Sequence, residues 1–249
     1  MSKLWEYDSY RTDSVLITNT DIIEYDLKSA GTSIAREFKL IPDWRLKEIE
    51  ALPKKDRVVQ LGLYKRDHRE YSDLEKAGFQ QARKMFFDEN ELTDDRVIAI
   101  KRDAIFVNGR CKKTKLTDNL NFRVKNEYTS WLYIQPLEIY YKNSKSPLDV
   151  KGINETIYLE QHDNFFGSFI KWVFKLLEIS DKNEVIKYIR DFYDRYKGLN
   201  LDCEYYREFS PLSRYRYKDS LTYDICMDIN ELDISHNATI ILKLCHMLL

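Results

Sequence analysis

Along the first part of the chain, short apolar runs alternate with charged turns. Ser14–Thr18 and Asp21–Leu27 read as two strands joined by a turn at Asn19-Thr20. A helix is expected from about Ser29 to Phe38. Pro42 then opens a second short helix through Trp44, Leu46 and Ile49, since proline is tolerated in a first helical turn. Pro53 closes that segment and opens a long charged helical region from about Lys54 to Phe87. Its apolar positions (Val58, Leu61, Tyr64, Leu74, Phe79, Ala82, Phe86) recur at three- and four-residue steps, the signature of one helix face. Gly62 and Gly78 are the expected points for a kink or break. Val97–Val107 is an apolar run interrupted by Lys101-Arg102-Asp103, the pattern of a β-hairpin with the charges at or beside its tip. Further strands are expected at Asn121–Val124, Thr129–Ile134 and Leu137–Tyr141, all rich in aromatic and β-branched residues.

The polar loop Lys142–Pro147 is the best domain boundary, because the pattern changes after it. Phe165, Phe166, Phe169, Ile170, Val173, Phe174 and Leu177 predict an amphipathic helix. Ser180-Asp181 caps another, carrying Val185, Ile186, Ile189, Phe192 and Tyr196 and stopped by Gly198. The fold class expected is α+β: an antiparallel sheet with packed helices over residues 1–145, including a helical segment at about 54–90, then a mainly helical domain over 146–249.

Composition narrows the function classes. The chain has 249 residues, 43% hydrophobic, with 7 Gly and 5 Pro, which describes a folded protein of one large or two modest domains. With 40 basic and 41 acidic residues it carries no global basic field. Local acids balanced by a basic groove remain compatible with nucleic-acid binding. The four cysteines, Cys111, Cys203, Cys226 and Cys245, form no CxxC pair, so a zinc site of ordinary spacing and a disulfide framework are both disfavoured. No apolar signal core or membrane-length run is present, and a soluble cytoplasmic protein without a membrane partner is expected.

Two acids stand at ends of expected central strands: Asp26 before the first helix and Asp103 at the hairpin. Paired carboxylates repel and are unfavourable to fold together without a cation between them. Hard oxygen ligands of this kind suit Mg2+, and two such ions can clamp the attacking and leaving oxygens of a phosphoryl transfer. The competing assignment makes Asp26 a cap of the following helix and Asp103 a turn acid.

The order of segments resembles the palm and thumb region of family B DNA polymerases. The first palm motif of that family, D-x-x-S-L-Y-P-S-I-I, is similar to Asp26-Leu27-Lys28-Ser29-Ala30-Gly31-Thr32-Ser33-Ile34-Ala35, which keeps the acid, both serines and the isoleucine. The fingers motif, K-x-x-x-N-S-x-Y-G, is similar to Arg57-Val58-Val59-Gln60-Leu61-Gly62-Leu63-Tyr64-Lys65, which keeps a cation and the tyrosine but not Asn-Ser. Ile100-Lys101-Arg102-Asp103-Ala104-Ile105 resembles the third motif, Y-G-D-T-D-S-I, keeping the second of its two acids. Lys125-Asn126-Glu127-Tyr128 is similar to the K-K-x-Y element that contacts primer-template, and Lys151-Gly152-Ile153 to the K-G-I/F element before the thumb.

The resemblance implies a compact, viral or phage-type nucleotidyltransferase of polymerase or primase-like character, with a palm-like domain and a helical thumb-like one and no exonuclease domain. It implies a two-metal Mg2+ site on Asp26 and Asp103. Substrate-binding residues would be Ser29, Gly31, Arg57, Tyr64 and Lys101, for a nucleoside triphosphate. Lys125, Tyr128 and Lys151 would touch the primer-template. Gly31 stands where the family places the tyrosine that rejects a 2′-hydroxyl, so ribonucleotides would be admitted. The departures in the second and third motifs leave an alternative: a polymerase-derived module without chemistry that binds nucleic acid or a replication protein.

Overall fold

The computed structural model describes residues 2–134, 137–143, 145–151, 169–179, 182–198 and 200–201. The chain divides into two units. One comprises residues up to Asp13 together with Asp21–Glu127; the other comprises Ser14–Thr20 together with the chain from Tyr128 onward.

The first unit is a five-stranded antiparallel sheet backed by helices. Its strands are β1 (Ser9–Arg11), β3 (Ile22–Leu27), β4 (Val97–Lys101), β5 (Ala104–Asn108) and β6 (Phe122–Tyr128), in the order β1-β4-β5-β3-β6. Between β3 and β4 lie four helices: α1 (Ala30–Glu37), α2 (Asp43–Glu50), α3 (Lys54–Asp67) and α4 (Arg69–Glu89). Period-two alternation in β3 sends Ile23, Tyr25 and Leu27 to one face, where they join Ile105, Val107 and Phe122 in a core with Phe79, Ala82, Phe86 and Phe87 of α4. Tyr25, Phe86 and Phe122 follow one another ring to ring at 5.2 and 4.5 Å. The Tyr25 hydroxyl accepts the Cys111 amide at 2.7 Å, which satisfies the buried polar end of that ring.

The second unit holds a four-stranded antiparallel sheet. It contains β2 (Leu16–Ile17), β7 (Ser130–Ile134), β8 (Leu137–Tyr141) and β9 (Asp149–Lys151), in the order β2-β7-β8-β9. Two helices, α5 (Lys171–Ile179) and α6 (Lys182–Lys197), pack Phe174, Val185, Ile189 and Phe192 against Leu132, Ile139, Tyr141 and Val150. Phe169 and Phe192 stack at 3.7 Å.

The α+β class is as expected, and the β4–β5 hairpin turns at Arg102-Asp103. Four expectations change. The polar loop at 142–147 does not divide the chain: it joins β8 to β9, which pair, and the division falls between Glu127 and Tyr128. The second unit also takes in a sheet, whereas the described residues of 146–249 lie mostly in α5 and α6; Phe165, Phe166, Ser180, Asp181, Gly152, Ile153 and the tail beyond Leu201 lie outside the described residues. The segments Ser14–Thr18 and Asp21–Leu27 do not pair with each other; β2 joins β7 in the other unit. The break in the long helical region comes at His68, not at either glycine, since His68 is in extended conformation between α3 and α4.

The two glycines differ physically. Gly78 lies where α1 crosses α4: a methyl there would stand 2.6 Å from Ile34 Cγ2 and 3.0 Å from Phe38 Cδ2. Gly62 in α3 has nothing within 4 Å of that position. Gly78→Ala is therefore expected to destabilise by about 1–3 kcal/mol through overpacking. Gly62→Ala should stabilise by about 0.5–1 kcal/mol through helix propensity. Denaturant midpoints of the two variants check both signs.

Candidate functional site: a carboxylate pair at the β3 and β4–β5 ends

The face of β3 opposite the α4 core carries Glu24 and Asp26. In the antiparallel ladder Asp26 stands opposite Ala104 and Glu24 opposite Phe106. The Leu27 amide donates to the Asp103 carbonyl at 3.0 Å, so the hairpin turn is tied to the end of β3. Asp26 and Asp103 therefore occupy neighbouring positions at one end of the sheet. Burial pushes the Asp103 carboxyl above its usual range, and the Asp26 charge adds to the rise, while a backbone hydrogen bond, Arg102 and Lys125 oppose it.

Cations surround the acids. Arg123 Nη2 donates to Asp26 Oδ2 at 3.1 Å, with the Arg123 side chain 56% exposed and that of Asp26 16%. Glu24, 1% exposed, accepts from Lys125 Nζ at 2.8 Å and from Asn126 Nδ2 at 2.6 Å. A buried carboxylate needs such partners to offset lost hydration. Lys101, at the end of β4, places its Nζ 5.7 Å from the centre of the Phe106 ring. Among the described residues no group of three or more His, Cys, Asp or Glu gathers as metal ligands. The donor set is thus a pair of carboxylates. That suits a cation which keeps most of its water or shares substrate phosphates, as Mg2+ does.

The helices place the remaining residues. Ser29 is exposed, with φ +51, and caps α1 through its backbone: its carbonyl accepts from Ser33 N at 3.0 Å and Thr32 Oγ1 at 3.1 Å. On α3 the half-buried residues are Arg57, Gln60, Leu61, Tyr64 and Lys65, and Val58 is exposed, so the inward stripe is rotated from the apolar one read in the sequence. Leu61 approaches α1 so closely that a Cβ on Gly31 would lie 2.8 Å from Leu61 Cδ1. The expected gap beside Gly31 is therefore closed on its Cβ side by a leucine from α3. Arg57 stands one turn before Leu61, and its Nε is buried without a hydrogen-bond partner. The Tyr64 ring packs on His68 at 4.1 Å and edge-on to Tyr71 at 5.3 Å, which gives it a packing role.

The residues expected at a primer-template fall in both units. Lys125 is held by Glu24 in the first unit. Tyr128 and Lys151 belong to the second unit, where both meet Asp149: the buried Tyr128 hydroxyl donates to Oδ2, and Lys151 Nζ lies 2.8 Å from Oδ1. Tyr128, 6% exposed, has little surface to offer a duplex. Sequence reading missed Glu24, Leu61, Arg83 and Arg123. Two of these were available as a period-two signal: Glu24-x-Asp26 on one strand and Arg123-x-Lys125 on another put acids and cations on alternating positions, hence on one face. Leu61 and Arg83 carried no comparable signal.

Fold and site together define a two-unit α+β protein with a carboxylate pair set at the end of an antiparallel sheet. The chain belongs to the family described as Bacteriophage PBS1 gene 130 protein, whose family model matches residues 1–249. No curated protein matches the chain significantly. Among the described residues no helix is long and apolar enough to cross a membrane.

The raised Asp103 carboxyl sets the sign of a pH effect. The folded state binds the Asp103 proton more tightly than the unfolded chain does, so this group's contribution falls as pH rises from the unfolded to the folded value. In chelator-treated protein Asp103→Asn should therefore be more stable than the parent at neutral pH. The difference should vanish in acid, below both values. Denaturation midpoints against pH check this, and a variant less stable at neutral pH would contradict it.

Proposed function

We propose that the chain is a compact, template-directed nucleotidyltransferase with a palm-like first unit. The observation that supports the reading is the Leu27 amide held on the Asp103 carbonyl, which ties the hairpin turn to the end of β3 within electrostatic reach of Asp26. Two hard-oxygen ligands joined this way, one of them made unfavourable by burial and by the other's charge, favour a divalent cation. Bound Mg2+ would stabilise negative charge developing on a transferred phosphoryl group. Asp26, at the end of β3, and Asp103, in the turn before β5, would hold it. Arg57 brings a guanidinium with an unmet donor to α3, suited to a triphosphate. Arg123 and Lys101 add cations beside the pair, where phosphates of the substrate or the template would lie. The reaction in this reading is attack of a primer 3′-hydroxyl on the α-phosphate of a nucleoside triphosphate. Sugar choice falls to the Gly31–Leu61 contact rather than to an open slot at Gly31.

A second reading has its own support: a nucleic-acid or replication-protein module without chemistry. Arg123 already neutralises Asp26, and Lys125 neutralises Glu24, which also accepts a hydrogen bond from Asn126, so both β3 acids are balanced by protein groups.

Calorimetric titration with a nucleoside triphosphate in Mn2+ or Mg2+ separates the two. In the first reading binding depends on the metal, and Asp26→Asn and Asp103→Asn each weaken it by about 100-fold or more, since loss of even an outer partner of a metal ligand costs about 10–100-fold. Metal-independent binding of a primer-template duplex, unchanged by both substitutions, would select the module.

A further inference from the structure

Arg83 on α4 is 1% exposed, yet it is no ligand of the carboxylate pair. Its guanidinium reaches three acceptors on two segments, the N-terminal stretch and the β4–β5 turn. Nε donates to the Trp5 carbonyl at 2.9 Å, Nη2 to Asp8 Oδ1 at 2.8 Å, and Nη1 to the Arg102 carbonyl at 2.6 Å. The last of these is the peptide group that leads into Asp103.

Arg102 itself sits in the left-handed region at φ +54, a conformation an arginine holds only when its surroundings impose it. Those surroundings are all present. The Arg102 amide donates to the Asp8 carbonyl at 2.8 Å, and its Nη2 donates to Glu75 Oε2 at 2.7 Å. Glu75, only 6% exposed, also takes Lys65 Nζ at 2.8 Å. The turn is thus held from outside by α4 and the N-terminal segment, and from the sheet by the Leu27 amide on the Asp103 carbonyl.

We infer that Arg83 is a positioning residue for Asp103: by binding the Arg102 carbonyl while anchored on Trp5 and Asp8, it sets where the β4–β5 turn places the Asp103 carboxylate beside Asp26. A purely structural role would be anchoring the N-terminal segment to α4. The two roles differ in what moves when Arg83 is changed. Lysine keeps the charge and a bond to Asp8, but as a single point donor it cannot span all three acceptors in the guanidinium geometry.

The test uses Arg83→Lys in the full chain, with Arg83→Gln if that variant does not fold, and reads two quantities. The first is amide hydrogen exchange at Leu27 compared with Tyr25 and Ile105. Positioning predicts that Leu27 protection falls about tenfold or more beyond any change at the two reference amides. Asp8→Asn, which loosens the segment but leaves the bond to Arg102, should spare Leu27. The second quantity is Mn2+ affinity, an arm that rests on the function proposed above. It should fall by about 10–100-fold in Arg83→Lys. It should show no further loss when Arg83→Lys is added to Asp103→Asn, because the effect passes through Asp103. Leu27 protection unchanged, or falling only in step with Tyr25 and Ile105, overturns the inference, as does an additive double variant. A parent chain that binds no Mn2+ at all defeats the metal-site reading instead, and Leu27 exchange then decides the role of Arg83 alone.

Discussion

The β3–β5 ladder is the constraint on which the rest of the first unit depends. It is antiparallel and in register from Ile22 opposite Asn108 to Asp26 opposite Ala104. Because side chains alternate, this one register decides two things at once. It sends Ile23, Tyr25 and Leu27 into the core under α4, and it sends Glu24 and Asp26 to the other face. A slip of one residue would bury the acids in the aromatic core and expose the aliphatics, a change far larger than the net stability of a domain. The hydrophobic energy of the core thus holds two carboxylates where charge alone would not put them.

Around that ladder the polar groups are arranged as mutual compensation. Glu24 and Glu75 are nearly buried, and each is matched by two donors. Arg83 is fully buried and has an acceptor for each of its three nitrogens. Removing one partner of such a pair leaves an uncompensated charge, which costs more than the pair contributes. Asp103 differs: burial and Asp26 both work against its ionised form, and the opposing cations do not cancel them.

The second unit repeats the same economy with different parts. Tyr128 and Lys151, two residues that resemblance assigned to a nucleic-acid surface, are both taken up by Asp149, and the aromatic ring of Tyr128 packs on Tyr140 at 4.9 Å. Side chains that a motif marks as binding groups are here absorbed into local hydrogen bonding. A motif match constrains residue type, and the environment decides whether the group is available.

Much of the secondary structure was legible because local signals agree with the tertiary outcome. The hairpin at 97–107, the helix after Ser29 and the prolines before α2 and α3 follow from alternation, capping and fixed φ, all properties of a few adjacent residues. The apolar face of α4 was legible at Phe79, Ala82 and Phe86, which all lie in the core, but the inward side of α3 and the charged residues that turn inward were not. Charged residues such as Arg57, Glu75 and Arg83 turn inward because partners distant in sequence meet them, and periodicity counts only apolar positions. For the same reason Gly31 read as a gap, while Leu61, thirty positions along the chain, closes it. By itself the sequence determined most of the elements, though not β1, β9 or the break at His68, and the α+β class, since these rest on patterns within each segment. Only the tertiary structure decided that the turn carrying Asp103 is tied to the end of β3, that Arg83 binds the Arg102 carbonyl in that turn, and that Ser14–Thr20 leaves one unit for the other. Those facts depend on which distant segments pair, and pairing is a property of the whole fold.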